Sequence, residues 1–280
     1  MIRQRRRLLA GVLVALTLTG AVAACSSEAS TPTPEAQASS STVAAQPLRI
    51  VVSNDDGIAS PGLDQLVTAL AELPDVDITV VAPAENQSGS SDKTTPGGVT
   101  YAAGVTASGV EGTAVNGFPA DAVNVALDEL GLDPDLVVSG VNAGQNVGPL
   151  ASLSGTVGVA RTAVRAGIPA LALSAGLTYD AGQYAVAIDD ALAWITTNRD
   201  QLVDRTLPAE VVSINVPACP LSSMGDVVDV ALATTLPEGL DVFVSACTPT
   251  GEVPTDDVTA LTGGWATRTR VPTELPPFGG

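Results

Sequence analysis

The sequence predicts a doubly wound α/β fold, a mostly parallel β-sheet with helices on both faces and a small antiparallel C-terminal extension. Three observations point to it. Short apolar, β-branched runs alternate with segments of helical period over most of the chain. Polar turns containing glycine follow several of these runs at once. The first strand, helix and strand fit within about 35 residues, the size of a βαβ unit.

The elements follow in order. PLRIVVS (47–53) reads as a buried strand, and Asn54, Asp55, Asp56 and Gly57 form a turn directly after it. Leu63, Leu66, Val67 and Leu70 recur at i, i+3, i+4 and i+7, the period of an amphipathic helix. DITVVA (77–82) is the second strand. Residues 85–116 are rich in Gly, Ser and Thr and read as a long loop with weak strands around 99–105. A helix over 120–130 places Val123, Ala126, Leu127 and Leu130 on one face. LVVS (136–139) is a third strand, and 140–155 a polar, Gly-rich loop. A helix over 156–166, a strand over 169–174, a helix over 184–198 with Ile188, Leu192 and Ile195 inward, and a strand over 210–215 complete the alternation. Residues 227–234 and 240–246 read as short strands with no helix between them, hence the antiparallel extension.

The N-terminus has a different character. Arg3, Arg5, Arg6 and Arg7 precede an apolar run to Ala24, the charge-then-apolar order of an export signal. Val22-Ala23-Ala24-Cys25 resembles a bacterial lipobox, which marks 1–24 as a signal peptide and Cys25 as the lipidation site of a protein held on the outer face of the cell membrane. Two or more acyl chains anchor stably where one does not. Residues 25–46, rich in Ser, Thr, Pro and Ala, cannot bury enough surface to fold and read as a flexible tether. The folded domain spans 47–272, and 273–280 is a tail. Cys219 and Cys247 remain; in an exported protein they form a bridge or stay as buried thiols.

Charge and composition exclude several functions. The chain carries 12 Lys+Arg and 30 Asp+Glu. Removal of the four leader arginines leaves eight basic against 30 acidic residues, a balance of −22. So acidic a surface argues against a nucleic-acid polymer as partner. There is no histidine, so neither a Ser-His-Asp triad nor an imidazole zinc site exists. A metal would be held by oxygen, which favours magnesium, manganese or calcium.

In doubly wound sheets, ligands bind beyond the carboxyl ends of the strands. Three polar loops fall there. Asp55 and Asp56 form an adjacent carboxylate pair, unfavourable unless positive charge sits beside it; the bland reading is a turn and helix-cap cluster. Asn86-Gln87-Ser88-Gly89-Ser90-Ser91 offers hydroxyls and amides, or is a solvated loop. The third loop holds Asn142 and Asn146, then Ser154, Gly155 and Thr156 at a helix start, where free N–H groups favour an anion and Ser154 or Thr156 also fits an N-cap. Together these residues suit metal-assisted hydrolysis of a phosphate ester.

The motifs RIVVSNDDGIASPGL (49–63), DITVVAPAENQSGSS (77–91), NGFPADAVNVAL (116–127), DLVVSGVNAGQNVG (135–148), SGTVGVARTA (154–163) and GIPALALS (167–174), with SINVP (213–217) and TDDVTALTGGWATRT (255–269), resemble the SurE (survival protein) family of metal-dependent 5′/3′-nucleotidases, in order over nearly the whole domain. The resemblance implies that Asp55, Asp56, Ser88 and Asn142 ligate a magnesium or manganese ion. It implies that Asn54, Asn146, Ser154, Gly155 and Thr156 surround the phosphate of a nucleoside monophosphate, with Asp55 and Asp56 catalytic. It also implies a homodimer or homotetramer built through the C-terminal region. Asp92 stands where family members often have His, Leu153 where they often have Tyr, and ATRTRV (266–271) differs from their usual closing strand. These departures bear on proton transfer, substrate preference and assembly. The competing expectation is a non-catalytic solute-binding lipoprotein that binds a phosphorylated small molecule.

Overall fold

The structure, a computed structural model, describes residues 46–176 and 182–278. The leader, Cys25 and the tether up to 45 lie outside the described residues. Strand β1 (Leu48–Ser53) sets the pattern for the rest. Leu48, Ile50 and Val52 join one apolar cluster, while Val51 joins another on the opposite face. Successive side chains of a strand point to opposite faces, so a strand apolar at nearly every position must be covered on both. Strands β5 (Leu136–Ala143), β6 (Ala170–Ala175) and β7 (Val211–Val216) divide their side chains in the same way.

The covering helices supply the matching stripes. Helix α1 (Pro61–Leu70) and the long α4 (Gly182–Val203) bury Leu63, Leu66, Val67, Ile188 and Ile195 in the first cluster. Helices α2 (Pro119–Asn124) and α3 (Gly155–Arg165) bury Val123, Val157 and Ala160 in the second. The described strands run β3-β4-β2-β1-β5-β6-β7-β9-β8, with β2 at Val76–Pro83 and an edge hairpin of β3 (Tyr101–Val105) and β4 (Glu111–Val115). Pairing is parallel from β4 to β7 and antiparallel within the hairpin and between β7 and β9 (Trp265–Val271). Strand β1 lies between β2 and β5, so the chain winds away from it in both directions. The loops after β1 and β5 therefore separate at their carboxyl ends and open a crevice there.

The predicted fold class agrees with this architecture, while several elements differ in detail. The weak strand expected around 99–105 is β3, and residues 111–115, expected as loop, form the strand that pairs with it in a regular hairpin. Helix α2 passes into a π-turn at Val125–Glu129, closed by Leu130 N–H donating to Val125 O. The wider turn shifts the helical phase, and Leu130 is exposed rather than inward. Strand β5 runs on to Ala143 through an irregularity between Ser139 and Asn142, where the Gly140–Val141 peptide is cis. Gly140 sits there at φ +128°, and a Cβ would lie 2.4 Å from Leu173 O.

The C-terminal region departs most. Strand β8 covers Gly225–Asp229 and pairs with β9 in parallel. Residues 240–246, expected as a strand, are irregular. Val242 packs with Val147, Val258 and Leu261, the last two from helix α5 (Asp257–Thr262). Its carbonyl accepts from Gln145 Nε2 at 2.5 Å. The apolar residues that suggested a strand thus cover a helix and a loop instead of extending the sheet. Residues within the expected tail make contacts with the domain: Arg161 Nε donates to Thr273 O at 2.7 Å, and Leu275 packs on the second cluster.

Cys219 and Cys247 are disulfide-bonded, with Cα atoms 5.3 Å apart. The bridge closes a 28-residue separation that contains β8 and the irregular 240–246 segment. In a full-length Cys25→Ser chain, thiol titration under denaturing, non-reducing conditions should find no free thiol. Reduction should lower stability by about 3–4 kcal/mol from loop-closure entropy, read as a shift in the urea midpoint; two titratable thiols in the untreated protein would contradict the bridge.

Candidate active site

The site begins with the turn after β1. Asn54 is fully buried, and its Nδ2 donates to Gly57 O at 3.0 Å and Ser60 Oγ at 2.7 Å, while Gly57 N–H donates to its Oδ1. Both amide hydrogens are engaged within the turn, so the side chain acts here as the brace that aims Asp55 and Asp56.

The two carboxylates go to different partners. Asp55 is 3% exposed and faces the N-terminus of α3. Gly155 N–H donates to Oδ2 at 3.1 Å and the Thr156 hydroxyl donates to Oδ1 at 2.6 Å. A helix N-terminus favours negative charge, and the absence of a side chain at 155 makes the approach possible: a Cβ there would lie 2.6 Å from Asp55 Cβ. Burial nevertheless raises the Asp55 pKa; the Thr156 hydrogen bond opposes that rise and the Asp56 charge adds to it. Asp56 is less enclosed. Asn86 Nδ2 donates to its Oδ1 at 3.0 Å and Ala143 N–H to its Oδ2 at 3.3 Å. Burial raises its pKa as well, against those two hydrogen bonds.

These contacts gather the loops singled out in the sequence. Gln87 N–H donates to Asp55 O at 2.7 Å, and Ser88 N–H to Asn86 Oδ1 at 3.0 Å. The Ser88 side chain is exposed and makes no hydrogen bond among the described residues. Asn142 donates its Nδ2 to Gly144 O at 2.6 Å, and its Oδ1 accepts no bond there. The loops after β1, β2 and β5 and the start of α3 are thus bonded to one another around the carboxylate pair.

The groups expected around a phosphate are largely engaged with protein. Ser154 accepts Val157 N–H at 3.1 Å as an N-cap. The Gly155 amide and Thr156 hydroxyl serve Asp55. Asn146 turns to β6 and β7: its N–H donates to Asn215 Oδ1 at 2.7 Å and its Nδ2 to Ser174 Oγ at 2.9 Å. Asp92, at the position of the expected histidine, pairs with Arg161 at 3.1 Å and Arg165 at 2.6 Å. It therefore fixes the 86–92 loop against α3.

The sequence did not single out Asn86, the Ala143 amide or Tyr184. Asn86 was visible only as the first residue of a polar loop. Tyr184 and Asp56 border one cavity of about 460 Å³ together with Ser60, Asn86 and Ala143.

The residues fit a divalent cation by donor chemistry. Among the described residues no ion pair involves Asp55 or Asp56, so two adjacent, desolvated carboxylates face no cationic side chain. No group of three or more His, Cys, Asp or Glu is placed to hold a metal among those residues. Coordination at this point would rest on the carboxylate pair and neutral oxygens such as those of Ser88 and Asn142, a hard set suited to magnesium or manganese.

The fold and site define an α/β protein with its reactive groups at the carboxyl edge of a doubly wound parallel sheet. Within that class the chain belongs to the SurE family, for the family described as Survival protein SurE matches residues 50–236. A protein of Brevibacillus brevis named 5′-nucleotidase SurE is 36% identical over 197 residues, 66% of this chain and 72% of its own length. A 5′-nucleotidase SurE of Methanopyrus kandleri is 45% identical over 128 residues, 45% of this chain and 48% of its own. The crystal structure of the SurE protein from Aquifex aeolicus matches with a TM-score of 0.63 at 22% identity, over 81% of this chain and 94% of its own, which bears on the fold alone.

The two carboxylates should respond differently to neutralisation in the metal-free protein. Their folded pKa values lie above the ordinary range, so ionisation of either group opposes folding at neutral pH, and the opposition disappears in acid once the group is protonated in both states. Asp56→Asn should therefore raise Tm at pH 7 in EDTA, with the gain fading as pH falls through the Asp56 folded pKa. Asp55→Asn should lower Tm, because its new amide would face an enclosed donor, the Gly155 N–H or the Thr156 hydroxyl, whereas at the more open Asp56 the new amide can take the Oδ2 side, where the Ala143 N–H is 3.3 Å away. Scanning calorimetry from pH 3 to 8 checks both signs.

Proposed function

We propose that this chain is a metal-dependent phosphomonoesterase acting on nucleoside 5′- or 3′-monophosphates. The observation that carries the reading is the carboxylate pair at the crevice, with Asp55 locked onto α3 and Asp56 open to the adjoining cavity. Family membership and the names of the relatives support it.

Asp55, Asp56, Ser88 and Asn142 would hold a magnesium or manganese ion, which when bound supplies Lewis-acid polarisation of phosphoryl oxygen and a more acidic water. The protein's own groups do the rest. Asp55 is fixed by two donors and serves position. Asp56 borders the cavity and is the carboxylate placed to take a proton from an attacking water. Asn86 and the Ala143 amide hold it in orientation. Ser154, Gly155, Thr156, Asn54 and Asn146, expected around the phosphate, act here by bracing the loops.

Purified full-length protein, stripped with EDTA, should release phosphate from nucleoside monophosphates only after manganese or magnesium is restored. Asp56→Asn should abolish turnover while remaining folded. A folded protein with no turnover under any metal would instead favour a binding lipoprotein.

The same proposal includes export and lipidation at Cys25, with the domain held outside the cell membrane, supported by the basic-apolar leader and the disulfide. A palmitate analogue fed to expressing cells should label the wild-type chain and not Cys25→Ser. Assembly through the C-terminal region is part of the reading, and Phe243 and Val244 are exposed there.

A further inference from the structure

Tyr184 belongs to none of the motifs above. It lies in the first turn of α4, with its ring packed in part on the apolar cluster beneath the sheet. The remainder borders the cavity that Asp56, Ala59, Pro61 and Glu85 also line. It is the one aromatic among that cavity's described lining, in a chain with three Tyr, three Phe and two Trp. Its phenol makes no hydrogen bond among the described residues, and burial, with a smaller contribution from the Asp56 charge, raises its pKa. The cavity thus brings two carboxylates, Asp56 and Glu85, together with a half-buried aromatic, small apolar side chains and the polar groups of Ser60 and Asn86.

We propose that Tyr184 is a specificity-determining residue whose aromatic face receives the base of the leaving nucleoside while the phosphate lies at Asp56. The inference rests on the nucleotidase reading and deepens it. Every nucleobase has a π-face, so stacking favours nucleosides over aliphatic alcohols as leaving groups and discriminates weakly among the bases. A cavity of about 460 Å³ accommodates a group of that size. Ser60, Glu85 and Asn86 offer polar groups to a sugar or an aliphatic alcohol alike, so the planar face of Tyr184 is the contact that separates a nucleoside from an aliphatic leaving group.

The test compares full-length wild-type protein with Tyr184→Phe and Tyr184→Leu, using AMP and β-glycerophosphate as substrates and thermal melting as a check on folding. Tyr184→Leu should raise KM for AMP, lowering kcat/KM by about 5- to 150-fold with kcat retained, the range of stacking on one base. Its kcat/KM for β-glycerophosphate should stay at the wild-type value, and Tyr184→Phe should match wild type on both. Adenosine should compete with β-glycerophosphate in wild type and more weakly in Tyr184→Leu, an assay that any residual activity supports. Equal losses on both substrates would assign the residue to the scaffold and overturn the proposal, as would no change on either. A Tyr184→Phe loss as large as that of Tyr184→Leu would also overturn it, by transferring the role to the hydroxyl. If wild type hydrolyses β-glycerophosphate but no nucleotide better, Tyr184 selectivity fails while the phosphatase chemistry stands. If it hydrolyses neither, the nucleotidase reading fails first and this one with it.

Discussion

The site depends on one contact, the Asp55 carboxylate seated on the N-terminus of α3. It joins the first loop of the sheet to a helix a hundred residues later. A nearly enclosed carboxylate is unfavourable without donors, and here a backbone amide and a hydroxyl supply them. The close approach requires glycine at 155. Asn54 holds the turn that aims Asp55, and Asp92, paired with Arg161 and Arg165, holds the neighbouring loop to the same helix. With those in place, Asp56 is left facing the cavity.

Two chemically identical neighbours are thereby given different work. Asp55 is surrounded by donors and immobilised, whereas Asp56 keeps part of its surface free, and burial raises the pKa of each in the metal-free protein. Several arginines of the described domain pair with carboxylates elsewhere: Arg49 and Arg205 with Asp133 and Asp135, and Arg268 with Asp190 and Asp229. Among the described residues no side-chain cation is ion-paired with Asp55 or Asp56, and an anionic substrate would gain attraction from a bound cation. That electrostatic pattern is consistent with an oxygen-donor site in a SurE-family chain without histidine.

The C-terminal region shows how the same apolar residues serve different ends. Val242 and its neighbours have strand-like composition, yet Pro237 and Gly239 precede them and the Cys219–Cys247 bridge follows. The segment folds back over α5 and the loop after β5, and its backbone reaches Gln145 and Thr262 rather than a strand.

Local sequence determined much of this protein. Alternating runs such as LRIVVS, with helical stripes such as Leu63, Leu66, Val67 and Leu70, specify the parallel sheet and its two covering layers, because burial period follows backbone geometry. The adjacency of Asp55 and Asp56 and their place after β1 were likewise legible, since both are properties of neighbouring residues. Tertiary structure decided the rest. That the start of α3 serves Asp55, that Asn146 turns to Ser174 and Asn215, that the π-turn exposes Leu130, and that Tyr184 borders the cavity are outcomes of which groups meet across the fold. Hydrogen-bond donors and cavity walls are shared between segments far apart in the chain, and no local period records how they will be divided.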